Sequence, residues 1–164
     1  AEAYSNLGKL LSVQDKLDEA MGALNKALLL KPKLVEASIN LADLLKKQGK
    51  LESAIKIYKK ALLHNPNNPT TLNNFANILK NQGKFEEAIG YYKKSISIKP
   101  DYTEAYNNLG NALSDQGNLE QAIRAYKQSI ILNPYYPDVY NNLGVTYKKQ
   151  GKFEKAIEYF NKSI

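Results

Sequence analysis

The sequence predicts an all-α protein made of repeated antiparallel helix pairs. Three observations predict it. The chain repeats itself at a spacing of 34 residues, seen at Gly49, Gly83, Gly117 and Gly151. Two stretches in each repeat carry apolar or small residues at i, i+3, i+4 and i+7, the pattern of one helix face. All six prolines fall where helices of this length end or begin. In register the repeats are 1–34, 35–68, 69–102, 103–136 and 137–164, the last stopping short of a full period. Such an array is one domain built by stacking, not one globular core.

Taken in order, the first repeat has Tyr4, Leu7, Gly8 and Leu11 on the face of its first helix, and Leu17, Ala20, Met21, Leu24, Ala27 and Leu28 on that of its second. Asp15 stands between the two where later repeats have glycine. Asp is the poorer residue for a left-handed turn, so a looser first turn is expected. In the second repeat Ala42 is expected to face Ala54, Gly49 to release the second helix and Pro66 to close it. Pro69 opens the third repeat at a first helical turn, where a missing N–H costs nothing. Ala76 is expected to face Ala88, with Phe85, Ile89, Tyr92 and Ile96 completing the second face and Pro100 ending it. The fourth repeat restates Tyr106, Leu109, Gly110 and Leu113, then Gly117, Ala122 and Pro134. The fifth has Pro137, Gly144 and Gly151, then Phe153, Ala156, Ile157, Phe160 and Ile164. Small residues at the eighth and twentieth places of each repeat let paired helices approach closely.

Composition removes several classes of function. Hydrophobic residues are 43% and charged residues 24% of the chain, and no apolar run approaches the roughly 18 residues of a membrane span. Zero Cys and a single His, His64, remove disulfides, thiolate metal sites and most imidazole chemistry, so no cofactor and no metal is expected. With no nucleophile and base recurring together, neither is catalysis. The chain lacks an initiating Met and a charged-then-apolar leader; a cytoplasmic piece of a longer protein is the expectation. The net charge is +7, but basic residues are spread along all repeats with acids between them. A nucleic-acid footprint gathers its bases on one surface, so nucleic acid is a poor candidate partner.

Packing accounts for most of the repeat, and function is therefore sought at the places that packing leaves free. The second, sixth, ninth and thirteenth places lie about 100–160° round the first helix from the core-facing Leu7, in one stripe. The sixth place is Asn in every repeat: Asn6, Asn40, Asn74, Asn108 and Asn142. Its neighbour, the ninth place, drifts through Lys9, Asp43, Asn77, Asn111 and Val145. Asn is an indifferent helix former, and retaining five costs about 2–3 kcal/mol relative to better ones. Three explanations stand: a ladder facing a ligand, hydrogen bonding between repeats, or inherited neutrality. The ladder is favoured because a carboxamide carries both an acceptor and donors, matching a peptide group on both of its sides. Specificity would then come from drifting neighbours such as Asn73, Asn77, Asn107 and Asn111. Since Ala is the better helix former, replacing the rungs by Ala is expected to leave stability level or slightly raised.

The repeated pattern of an aromatic or similar residue, Leu, Gly or Ala, then Ala, an aromatic, Ala or Ser, and Pro resembles the tetratricopeptide repeat over the whole chain. The resemblance implies a right-handed superhelical solenoid whose first helices line a concave groove. The motifs Asn6-Leu7-Gly8, Asn40-Leu41-Ala42, Asn74-Phe75-Ala76, Asn108-Leu109-Gly110 and Asn142-Leu143-Gly144 also resemble the repeat region of O-linked N-acetylglucosamine transferases, and those of bacterial repeat arrays joined to transferase domains. That resemblance implies an extended protein segment held by its main chain. The carboxylate clamp of another branch of the family needs bases at the second and sixth places. Here the second place is Glu2, Glu36, Thr70, Glu104 and Asp138, so that clamp is absent.

The expected function is a non-enzymatic scaffold that binds an extended peptide, with rungs about 10 Å apart meeting every third residue over about 12 residues of ligand. The rivals are an RNA-binding helical-repeat module and the substrate-recruiting region of a larger glycosyl- or sulfotransferase. Self-association through an uncapped last helix is also expected, with Ile157, Phe160 and Ile164 in the contact.

Overall fold

The computed structural model describes all of residues 1–164, as ten α-helices with no strand. They are α1 (Glu2–Val13), α2 (Leu17–Leu30), α3 (Val35–Lys47), α4 (Leu51–His64), α5 (Pro69–Asn81), α6 (Phe85–Ile98), α7 (Thr103–Asp115), α8 (Leu119–Leu132), α9 (Pro137–Lys149) and α10 (Phe153–Asn161). Odd-numbered helices are the first helices of the five repeats and even-numbered ones the second. Short turns join them, which makes neighbours antiparallel. No helix is long and apolar enough to cross a membrane.

The chain forms two compact units, Ala1–Asn74 and Phe75–Ile164, whose boundary falls within α5. In the first unit α1 packs on α2 and α3 on α4, with α3 also against α1 and α2. Ala20, Leu24, Ala27, Leu41, Ala42, Ala54 and Tyr58 are buried there. In the second, α7 packs on α8 and α9 on α10, while α6 meets α7 and α8 meets α9. Its buried residues include Phe75, Ala88, Tyr92, Ala122, Tyr126 and Leu143. Phe75 meets Tyr91 edge-on at 5.0 Å between centroids, and Tyr159 stacks on Tyr147 at 5.4 Å.

The eighth-place residues approach their partner helices closely, but their chief neighbour is the large residue at the twenty-fourth place. A Cβ added to Gly110 would lie 2.5 Å from the Tyr126 ring, and one on Gly144 would lie 2.7 Å from the Phe160 ring. The twentieth-place residue contributes a backbone oxygen: the Ala20 carbonyl stands 3.1 Å from a Cβ placed on Gly8. The absent side chain therefore makes room for a ring or a branched chain more than for the small Ala opposite.

Gly49, Gly83, Gly117 and Gly151 have φ of 75°, 76°, 87° and 73°, and Asp15 adopts the same left-handed turn at φ 62°. The first turn is thus built like the others, at a steric cost that glycine escapes. Replacing Asp15 by Gly removes that strain together with an exposed ion pair to Lys47 Nζ at 2.6 Å, which is worth little. The expected net gain is about 0.5–1 kcal/mol, read as a melting temperature raised by about 1–4 °C.

Ile157 on α10 and Ile164 beyond it are exposed. Phe160 is half-buried, because its ring lies over Gly144 within its own repeat. The first helix leaves Tyr4 and Leu7 exposed, two residues that the apolar period assigns to its core face, and Leu10 beside them.

Candidate ligand-binding face

Of the sixth-place asparagines, Asn6 is exposed and Asn40, Asn74, Asn108 and Asn142 are half-buried. In the first unit Asn40 Nδ2 donates to Ser5 Oγ at 3.5 Å, and Asn74 Nδ2 donates to Asp43 Oδ2 at 3.1 Å. In the second, Asn142 Nδ2 donates to Asn107 Oδ1 at 3.0 Å. In each case the acceptor belongs to the preceding repeat. The rungs are therefore hydrogen-bonded between repeats, one of the three explanations weighed above, and this is compatible with their also facing a ligand.

Two expected specificity residues are misplaced by the sequence reading. Asn73 is 0% exposed and Asn107 is 5% exposed, so neither offers a surface to a ligand. Stepping back one residue from the sixth place turns a side chain by about 100°. At Asn107 that turn points the amide at Asn142 on α9, and Asn73 Nδ2 donates to Asn74 Oδ1 at 3.1 Å. Both are supports for rungs.

The ninth place is organised by the tyrosines of the twenty-fourth place, where the apolar period puts Tyr92 on a packing face. Tyr58 OH donates to Asp43 Oδ1 at 2.7 Å, Tyr92 OH to Asn77 Oδ1 at 2.6 Å, and Tyr126 OH to Asn111 Oδ1 at 2.7 Å. The rings are buried and only their hydroxyls reach the polar stripe. A signal for this exists in the sequence. Where the twenty-fourth place is Leu24 or Phe160, which have no hydroxyl, the ninth is Lys9 or Val145 instead of Asn or Asp.

Burial pushes the phenols of Tyr58, Tyr92 and Tyr126 well above the ordinary range, with negative charge at Asp43 adding to the shift at Tyr58. In an unfolded chain a phenol ionises near pH 10. The contribution of these groups to stability is therefore fully present below about pH 10 and is lost as the pH rises beyond it. Alkaline titration followed by tyrosinate absorbance is expected to leave these three protonated until the chain unfolds.

Each unit opens a cleft along this stripe, mixed in character in the first and polar in the second. In the first unit a cleft of about 510 Å³ is bordered by Lys9, Glu36, Ile39, Asn40 and Thr70. In the second, one of about 210 Å³ is bordered by Lys80, Asn111, Ser114, Asp115, Asn142 and Lys149, from three successive first helices. Lys149 Nζ donates to Ser114 Oγ at 3.1 Å across its floor. Another hollow of the second unit, about 410 Å³ between α6, α7 and α8, is mostly apolar, bordered by Tyr106, Leu109 and Leu113, and holds none of the asparagines.

Paired helices with packing rings on the second and amide-lined clefts on the first define a helical-repeat protein. The chain belongs to the tetratricopeptide repeat family. The tetratricopeptide repeat profiles match residues 1–34, 33–101, 67–130 and 139–164, and a TPR repeat profile matches 110–151. No curated protein sequence matches the chain at a significant level. Among solved structures, PilF of Pseudomonas aeruginosa has a TM-score of 0.91 at 25% identity, over 99% of this chain and 74% of that one. MamA has a TM-score of 0.81 at 24% identity, over 95% and 91% of the two chains, a likeness of fold. YrrB, described as a TPR protein with an unusual peptide-binding site, has a TM-score of 0.75 at 25% identity, over 98% and 83%.

Proposed function

We propose that this chain is a non-catalytic interaction scaffold that holds an extended segment of a partner protein against its first helices, through the carboxamides of the sixth and ninth places. The observation that carries the reading is the cleft in the second unit, where Asn111 and Asn142, from successive first helices, border one polar space of about 210 Å³. A carboxamide suits a peptide group because it can both give and accept a hydrogen bond. The similarity to YrrB, itself described by its peptide-binding site, supports the same choice. In the first unit Asn40 and Lys9 border the corresponding space.

The RNA-binding alternative fits the clefts less well. Lys9 and Glu36 border one, and Lys80, Lys149 and Asp115 the other, so neither gathers the unbroken run of bases that a phosphate backbone needs. The test is capture of a random library of twelve-residue peptides by the immobilised chain, with a single-stranded RNA of mixed sequence as competitor. Micromolar or weaker peptide binding that changes little between about 50 and 200 mM salt is expected, since neutral amides release few counterions. Binding of the RNA that falls by orders of magnitude over that interval, with no peptide retained, would replace this reading.

A further inference from the structure

The hydrogen bonds leave opposite ends free at Asn40 and Asn142 on the one hand and at Asn77 and Asn111 on the other. We propose that the binding face has a fixed polarity: at the sixth place Asn40 and Asn142 present their carboxamide oxygen to ligand N–H groups, while at the ninth Asn77 and Asn111 present their amide nitrogen to ligand C=O groups. The proposal rests on the peptide-binding reading for its ligand, but its structural half does not.

The polarity is anchored at Asp43. A carboxylate has no hydrogen to give, so the Tyr58 hydroxyl at 2.7 Å and the Asn74 amide at 3.1 Å must both donate to it. Lys46 Nζ is a third donor, at 3.0 Å. With its nitrogen committed to Asp43, Asn74 turns its oxygen to the buried Asn73, whose Nδ2 donates to it at 3.1 Å, so this rung is met at both ends and shows only which end faces the array. The same end faces the array at Asn40, whose nitrogen faces Ser5, and at Asn142, whose nitrogen faces Asn107. The sixth place thus uses its donor end within the array.

The ninth place does the reverse. Tyr92 and Tyr126 donate to the Oδ1 atoms of Asn77 and Asn111. The two ends of a carboxamide point apart, so holding the oxygen toward a buried hydroxyl turns the nitrogen outward. Rotating either amide end for end would set N–H against O–H and cost the bond unless the hydroxyl turned too. Lys9, at the ninth place of the first repeat, keeps donor character by other means, having only N–H groups to offer. Asp43, an acceptor, and Val145, an apolar residue, are the exceptions, so the second and fifth repeats have no side-chain donor for a ligand carbonyl there. Tyr92 and Tyr126 are accordingly positioning residues, buried beneath a face they orient.

Asparagine-to-aspartate exchange tests the polarity, because it removes a donor and keeps the shape. Asn77→Asp with Asn111→Asp keeps the oxygen that each tyrosine needs, as Asp43 does opposite Tyr58. The melting temperature is expected to move by less than about 2 °C, while capture of the twelve-residue peptide library falls about tenfold or more. Asn142→Asp sets a carboxylate against the oxygen of buried Asn107 and is expected to melt about 3–8 °C lower. Tyr92→Phe with Tyr126→Phe is expected to weaken capture severalfold but keep the preference for the library over the same library with alternate amides N-methylated, since the sixth place reads that N–H. Equal melting shifts in the two aspartate variants, or loss of that preference in the phenylalanine variant, would overturn the polarity. A wild-type chain that captures neither library would remove the peptide-binding reading, and the two melts would still decide the polarity.

Discussion

Replacing Ala88 by Leu is expected to lower the melting temperature by about 4–10 °C. Ala88 is 0% exposed in the middle of the array, on the face that α6 turns to its partner. Adding three carbons to a close helix contact forces side chains off their rotamers or pushes backbones apart, at about 1–3 kcal/mol. For a chain of this size each kcal/mol is about 2–4 °C. In a stacked array the displaced helix also loosens its neighbours. A thermal melt by circular dichroism checks it, and an unchanged midpoint would mean that the core face of α6 has room the packing does not show.

Replacing Asn40, Asn74, Asn108 and Asn142 together by Ala is expected to abolish peptide capture and also to lower the melting temperature by several degrees. Helix propensity alone argues for the opposite sign, since Ala in place of Asn gains several tenths of a kcal/mol at each position. The hydrogen bonds reverse it. Asn107, almost fully buried, loses its donor partner, and Asp43 loses one of three. An unmet buried polar group costs about 1–3 kcal/mol, more than the propensity returns. Calorimetry and a melt on the same variant check both halves. Binding retained in full would remove the amides from the ligand site, and a raised midpoint would show that the bonds between repeats contribute nothing net.

The helices were legible in the sequence because their signals are local. A glycine ending α3, α5, α7 and α9, prolines between the pairs, and a 3.6-residue apolar period each act within a turn or two of chain. The sixth-place asparagines were legible for a related reason: one residue type kept at a propensity cost asks for an explanation. What the periodicity could not separate is the fifth place from the ninth. They lie about 40° apart on the helix by its rotation per residue, yet Asn107 is buried and Asn111 borders the cleft. The difference comes from the next first helix, which covers one and not the other. The tyrosine hydroxyls are not legible in the period because a ring at a packing position reads as wholly apolar, whereas Tyr58, Tyr92 and Tyr126 bury their bodies and use their polar tips.

The tyrosine bonds also bear on how such a chain can be rearranged. Each links positions 15 residues apart inside one repeat, so a repeat moved as a whole takes both ends of its bond to the new site. A graft that cuts at the turn does not. Joining the α5 half of the third repeat to the α10 half of the fifth would set the Asn77 oxygen over Phe160, a ring with nothing to donate, and the reverse splice would strand a tyrosine hydroxyl under Val145. Cut points in the loops between pairs, near Pro66, Pro100 and Pro134, are the ones that exchange repeats without breaking these tyrosine bonds.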